Sequence, residues 1–586
     1  MREQSKTVLC RLLLVGFAAM VIVAFVPAKG YAQFVPNSKQ NPLCQKLGTQ
    51  IQGSSGMQMY CFGPQQNGAA PHAGLLAPGL SGTPLASQKS SKGGFIPNVN
   101  AANLAEDISP SGLRAFGQSE TSIAAAGSYV VEAWNDATGF FASCGSPSNK
   151  EELTGFAFSN DGGQTFTDLG GIPNLNCATS LAEGDPSVEA YQVGGNTYFY
   201  ISSIFIPFNV PQNALSVTAC QVTGSGSSAT LSCGQPIIAA ISSDCIDVGF
   251  TICSFLDKEF LSVDAARGKL SMSYTEFGFT DADGAGQINL AACDLTVNPA
   301  NPTCSNGSGF SFLNPLAVPA YLVVSANNNN FCEQEGAYPA VDPASGDVYV
   351  AFEFNWSTNL NSFGPCAVTP TQEVLAHIPR SCLTATSPSP CVPPFSEAAV
   401  NIVSTVATFV PGYNRFPSND FPRIAVSNAA GTVSIVWNDA KTNPLGDILM
   451  QSYNLGTLIA VQSAPVKLNN DTTNGALHFL PAVRNADSNG RLSVSWYDRR
   501  LNPSSAITHV FAALGVDPRT TSTPSNSRVT DVSSDWLAVS SDIVPNFGDY
   551  TDNYMVKGTG KHASNTFYVA WSDGRLGDPQ PFEAHH

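Results

Sequence analysis

A strand–turn–strand unit recurs seven times along this chain, and no other feature limits the fold as much. The clearest copy is residues 478–498, HFLPAVRNADSNGRLSVSWYD. It holds an apolar run from Phe479 to Val483, a polar turn with Asn489-Gly490, an alternating run (Leu492, Val494, Trp496) and a closing acid, Asp498. Successive side chains of a strand face opposite sides, and Asn-Gly tolerates the positive φ of a tight turn, so this pattern specifies a β-hairpin. Variants run Thr121–Asp136, Asp185–Ser202, Glu259–Glu276, Tyr338–Glu353, Phe421–Asp439 and, more loosely, Gly548–Asp573. Their first core residues are Ile123, Val188, Val263, Val341, Ile424, Val483 and about Met555. With no helical period between copies, the chain reads as all-β, a β-propeller of seven blades. Six is the alternative if the loose last copy merges with the N-terminal arm.

Residues 1–32 read as a secretory leader. Arg2, Lys6 and Arg11 precede an apolar run from Leu12 to Val26 and the small-residue site Gly30-Tyr31-Ala32, so cleavage after Ala32 and a secreted or periplasmic protein are expected. That run is short for a membrane span and nothing later resembles one, so membrane insertion is not expected. Losing the leader's four cations and one anion moves the formal charge from −17 to −20. Such a chain repels nucleic acid and anionic membranes. Fourteen cysteines remain, none after Cys391. In an oxidising compartment they predict disulfides, with Cys44/Cys61, Cys245/Cys253 and Cys382/Cys391 as near-neighbour pairs. Asp281-Ala-Asp283-Gly284 opens like a calcium loop but has Ala292 where a glutamate is needed, so a polar turn and no cofactor are expected.

Residues 33–117, rich in Gly, Ser, Pro, Gln and Asn, read as a loosely ordered arm, and 118–586 as the propeller. Only 13 residues follow Asp573. The closing blade is therefore expected to take one outer strand from Pro581–His586 and another from the arm, joining the chain ends and removing exposed edges. The 469 residues from Gln118 onward give 67 per copy, above the roughly 40–45 of a compact propeller repeat. The excess is expected in insertions at 205–255, 295–333 and 358–418, which carry most of the cysteines.

In an antiparallel pair the start of strand one and the end of strand two share an end. Glu120, Asp185, Glu259, Glu335, Asp420, His478 and Asp549 should therefore share a rim with Asp136, Glu276, Glu353, Asp439, Asp498, Arg499, Arg500, Asp573 and Arg575. Around a funnel such groups form a polar-ligand or catalytic site; singly, each acid would cap its own turn. Trp134, Trp437, Trp496 and Trp571 recur at one repeat position and suit blade packing, whereas Trp356 and Trp536 fall outside it and suit ligand contact.

Ser159-Asn160-Asp161-Gly162-Gly163-Gln164-Thr165-Phe166 resembles the Asp-box of sialidase-type (BNR-repeat) propellers, and the repeated strand pairs, with Trp496-Tyr-Asp-Arg-Arg500 and Trp571-Ser-Asp-Gly-Arg575, extend the likeness to the C-terminus. The resemblance implies a sialidase-like propeller in which the Asp-box is a peripheral turn. Family sialidases hold a sialic acid carboxylate with three arginines, attack with a Tyr activated by a Glu, and use an Asp as acid/base. The early Phe/Tyr-Arg-Ile-Pro signature is absent here, and between Arg114 and Arg380 only Arg267 occurs. The catalytic set therefore does not carry over residue by residue. Position in the repeat places the acid and nucleophile among Asp185, Glu259, Asp420, Asp498 and Tyr550, with Arg423, Arg499, Arg500 and Arg575 as the anion clamp. The expected function is hydrolysis or recognition of extracellular glycans, including exo-acting hydrolysis of acidic sugars. The alternative is a non-catalytic surface binding or scaffold propeller. The expected partner is a glycan or other polar ligand, and the expected state a monomer.

Overall fold

The computed structural model describes residues 41–46, 53–62, 94–105 and most of 116–586, the main omissions being 141–151, 279–285, 305–320, 325–332, 357–371, 384–395, 401–409 and 411–420. It is a seven-bladed β-propeller of antiparallel sheets. The innermost strands of blades 1 to 7 are Gln118–Ala126, Val188–Val193, Phe255–Asp264, Glu333–Val341, Arg423–Ser427, His478–Ala482 and Asp552–Val556. Each pairs with the strand after its hairpin turn, as the alternation predicts.

Apolar faces of neighbouring blades stack into shared cores. Ile123 and Val131 of blade 1 pack with Val188 and Phe199 of blade 2 and with Tyr554 and Tyr568 of blade 7. Side-chain hydroxyls tie one inner strand to the next: Ser122 Oγ accepts from the amide of Val188 at 2.9 Å, and Ser187 Oγ from that of Leu261 at 3.0 Å.

Blade 7 joins an early segment of the sequence to a late one. Gln580–His585 is its third strand, and Val99–Asn100 pairs outside it with Val99 opposite Glu583 and Asn100 opposite Phe582. Ser122 Oγ of blade 1 donates to Asp552 Oδ2 of blade 7 at 2.7 Å across this junction.

Among the described residues four disulfides have both partners: Cys44–Cys61, Cys220–Cys233, Cys245–Cys253 and Cys293–Cys304. The pairing of Cys382 with Cys391 lies outside the described residues. Residues 205–255, expected to form an insertion, hold the third and fourth strands of blade 2, with Cys220 directly opposite Cys233, and then a separate two-stranded hairpin, Cys245–Asp247 with Thr251–Cys253. Serine and threonine on these outer strands disguised their alternation. Among the described residues no helix is long and apolar enough to cross a membrane.

The Asp-box is a tight turn between the third and fourth strands of blade 1. Asp161 accepts from the Thr165 amide at 3.0 Å and hydroxyl at 2.6 Å, and Ser159 Oγ from the Gly163 amide at 2.9 Å. Gly162 and Gly163 carry the positive φ that the turn requires (81° and 88°).

Candidate functional site

The innermost strands share a local distortion that builds the site. In blades 1, 3, 4 and 6 one extra residue interrupts the pairing, between Ser119 and Ser122, Asp257 and Phe260, Glu335 and Tyr338, and Phe479 and Ala482. The extra residue takes a left-handed conformation: Glu120 (φ 55°), Lys258 (58°), Gly336 (68°) and Leu480 (47°), with Asp185 (57°) and Gly548 (80°) equivalent in blades 2 and 7. Glycine adopts this freely, but on other residues it costs about 1–2 kcal/mol and re-aims the side chain. Strain held at one position around a ring motivates a search for function there.

The re-aimed side chains form one buried charged cluster. Lys258 Nζ pairs with Asp549, both fully buried. Asn135 Nδ2 donates to Glu120 Oε2 at 3.0 Å and to Asp185 Oδ1 at 3.3 Å, and the Asp549 amide donates to Glu120 Oε1 at 3.1 Å. Burial pushes the carboxyls of Asp185 and Glu259 well above the ordinary range, and neighbouring acids add to it: Glu120 and Asp257 for Asp185, Asp257 and Glu120 for Glu259. For Lys258 burial acts downward, but Asp549, Glu120, Asp257 and Asp185 outweigh it and hold the ammonium charged.

Deeper in the channel stands Arg423, 2% exposed. Its guanidinium lies 4.8 Å from the Tyr338 ring, 5.1 Å from Phe260 and 5.8 Å from Tyr550. Among the described residues no carboxylate comes within ion-pair distance of it, and Nη1 makes only a 3.4 Å contact to the Pro422 carbonyl. Tyr550 Oη donates to the Pro186 carbonyl at 2.9 Å; burial first, then Glu120, Asp185 and Glu259, push its pKa well up.

Arg484 of blade 6 closes the channel. It reaches Asp552 Oδ2 at 2.5 Å in blade 7, Glu189 Oε1 at 3.2 Å in blade 2, and the carbonyls of Ile123 (3.5 Å) and Leu261 (3.2 Å) in blades 1 and 3. Beyond it a cavity of about 780 Å³ opens among the hairpin-turn ends, lined by residues such as Gly127, Ala265, Pro343 and Asn428.

Of the nine residues singled out from sequence, Asp185, Glu259, Tyr550 and Arg423 meet in this cluster. Asp420 lies outside the described residues. Asp498, Arg499, Arg500 and Arg575 are placed elsewhere, which corrects their assignment to the funnel. Trp496 Nε1 donates to Asp498 Oδ2 at 2.8 Å, Arg500 Nε donates to the same oxygen at 2.8 Å, and its guanidinium lies 4.3 Å over Phe511. Blade 7 repeats the arrangement: Trp571 to Asp573 at 2.8 Å, Arg575 to Asp573 at 2.7 Å, and Arg575 4.3 Å over Phe582. Arg499 is buried against Phe479 and donates to Thr508 Oγ1 at 2.9 Å. In each triplet the tryptophan and arginine share one aspartate of their own blade, and the arginines reach on to neighbouring segments, Arg500 to Asn470 at 2.8 Å and Arg575 to Asp531 at 2.6 Å and Asn98 at 2.9 Å. Trp536, expected at a ligand, is buried against Phe547.

Sequence reasoning left Lys258, Asp257 and Arg484 unassigned. Lys258 had a readable signal, a lysine between two acids, Asp257 and Glu259, inside a strand flanked by Phe255-Leu256 and Phe260-Leu261.

No family model matches the chain, and no curated relative does. Among solved structures it is similar to a Trypanosoma rangeli sialidase bound to the inhibitor DANA (10% identity, 82% of this chain, 73% of that chain, TM-score 0.37). It is also similar to the Hadza microbial sialidase Hz136 (11%, 69%, 65%, 0.34) and to a thermostable family-43 glycoside hydrolase (11%, 59%, 94%, 0.29). At these identities and scores the likenesses carry no inference about chemistry.

Proposed function

We propose that this protein is an exported propeller directed at extracellular glycans, whose funnel takes the acidic end of a saccharide and hydrolyses its terminal glycosidic bond. Arg423 carries the reading. A buried guanidinium without a carboxylate partner among the described residues is costly, and an incoming anion held bidentately would offset that cost. The groups for bond cleavage stand around it. Glu259, its carboxyl pushed well up by burial, is biased toward the protonated form and suits a general acid. Tyr550 lies in the field of Glu120, which would take its proton as it becomes a nucleophile.

The test is turnover and binding of a panel of fluorogenic glycosides, sialosides included, by the mature protein, Arg423→Met and Tyr550→Phe. Arg423→Met should lose at least 100-fold in affinity for acidic sugars, and Tyr550→Phe should lose turnover while keeping affinity. A second reading has its own observation: Asp185, Glu259, Lys258 and Asp549 are all buried, as in a non-catalytic scaffold that uses its outer faces. Absence of both turnover and acidic-glycan binding would favour that second reading.

A further inference from the structure

What buries the cluster includes a piece of the N-terminal arm. The helices Pro42–Lys46 and Ser55–Phe62 are joined by Cys44–Cys61. Their inner side is apolar: Leu43, Met57 and Cys61 are buried in one core with Ile204, Leu215, Phe255 and Leu256 of blades 2 and 3. The turn ahead of the second helix is polar and faces the acids. Ser54 Oγ accepts from the Met57 amide at 3.1 Å, capping the helix. The Ser54 amide donates to Asp257 Oδ2 at 2.8 Å, and the Gly56 amide to Asp185 Oδ1 at 3.3 Å. Gly56 is matched to this seat, since a Cβ there would lie 2.5 Å from Ile204 Cδ1 and 3.3 Å from the Glu183 carbonyl.

We infer that the turn 53–57 is a resident occupant of the funnel, and that Asp185 with Asp257 forms a subsite for hydrogen-bond donors, the hydroxyl or amide N–H groups of a saccharide. The inference rests on the glycan reading of this site for the identity of the displacing ligand. Both carboxyls accept from the blades as well, Asp185 from Asn135 and Asp257 from the Lys258 amide. The arm's amides therefore occupy remaining acceptor positions, where a ligand's donors would compete with them. Both cysteines of the staple belong to the arm. The disulfide holds the helix pair together without bonding it to a blade, so the pair can leave as a unit.

The mature protein, Gly56→Leu and Cys44→Ser/Cys61→Ser are compared by carbodiimide labelling of Asp185 and Asp257 and by titration with sialyllactose. Gly56→Leu lifts the turn by collision with Ile204; the double variant loosens the pair without touching the seat, and serves if Gly56→Leu does not fold. Labelling should rise at least 10-fold in either variant, with sialyllactose bound at least 10-fold more tightly than by the parent. Unchanged labelling in both variants, or equal sialyllactose affinity in open and closed forms that do bind it, overturns the inference. Faster labelling with no saccharide bound by any form supports the occupant and overturns the glycan reading, so the two failures are distinguishable.

Discussion

Replacing Arg484 by methionine should destabilise the propeller more than any other single change in the channel, and the loss should depend on pH. Arg484 is 5% exposed and bonds to four other blades through Asp552, Glu189 and two carbonyls. Methionine fills most of the aliphatic volume but leaves Glu189 and Asp552, whose side chains are 7% and 3% exposed, without their shared cation. Breaking a buried ion pair by removing one partner costs about 3–5 kcal/mol. The sign with pH follows from Glu189. Burial already raises its pKa and Arg484 opposes the shift, so losing the arginine raises it further. A carboxyl raised in the folded state stabilises below its unfolded pKa, and that contribution disappears as pH climbs through the folded value. Urea denaturation followed by tryptophan fluorescence should therefore show a loss of about 3–5 kcal/mol at pH 7.5 and a clearly smaller one at pH 4.5. Arg484→Met/Glu189→Gln should recover part of the pH 7.5 loss. A loss below about 1 kcal/mol, or an equal loss at both pH values, would refute the view that Arg484 is held by charge.

The intact protein should be most stable in mild acid. Glu132, Glu183, Asp185, Glu259 and Glu583 are raised by burial, so their stabilisation fades as pH rises from the carboxylate range. Asp294, held down to about 2 despite burial by Lys269 and Thr296, works oppositely at low pH. Scanning fluorimetry should show a melting temperature that falls from pH 5 to pH 8; a flat or rising profile contradicts this, and Glu132→Gln should flatten the slope. Asp498→Ala, which removes the acceptor shared by Trp496 and Arg500, should cost about 2–4 kcal/mol in urea without altering saccharide affinity; an affinity change would return Asp498 to the site. Gly548→Ala should cost at least about 2 kcal/mol, because a Cβ there lies 2.4 Å from Glu120 Cγ and 2.5 Å from the Glu120 backbone N at a φ of 80°; a neutral result would mean that the backbone of one of the two strands shifts freely.

The blade count was legible because a hairpin packed between neighbouring blades must repeat its apolar residues at fixed spacing. Ile123, Val188, Ile424 and Val483 are buried as anticipated. In blade 3, Val263 was the chosen anchor, yet Leu261 is the residue whose amide meets Ser187, as that of Val188 meets Ser122. A slip of two residues leaves every side chain on its own face, so the pattern could not expose it. The proposed site was legible only in part. Asp185, Glu259, Arg423 and Tyr550 lie near one another because they belong to the first parts of inner strands that meet around the axis. Asp498, Arg500 and Arg575 were grouped with them because they share the rim. Trp-x-Asp-x-Arg spacing puts three side chains on one face of a strand, where they bond one another and the segments beside the blade. The arm's turn was not legible, since its bonds to Asp257 and Asp185 span 203 and 129 residues and no local pattern announces them.

The pairing of Val99 with Glu583 sets an order of events during folding. The two strands are separated by nearly the whole chain, so the last blade cannot complete until the final residues are available, and its closure carries the largest loop-entropy cost of any sheet here. Until then two blade edges stand open to other strands. A newly made chain is therefore most exposed to aggregation just before that strand pairs, and a chaperone that delays inter-chain pairing would protect that one step.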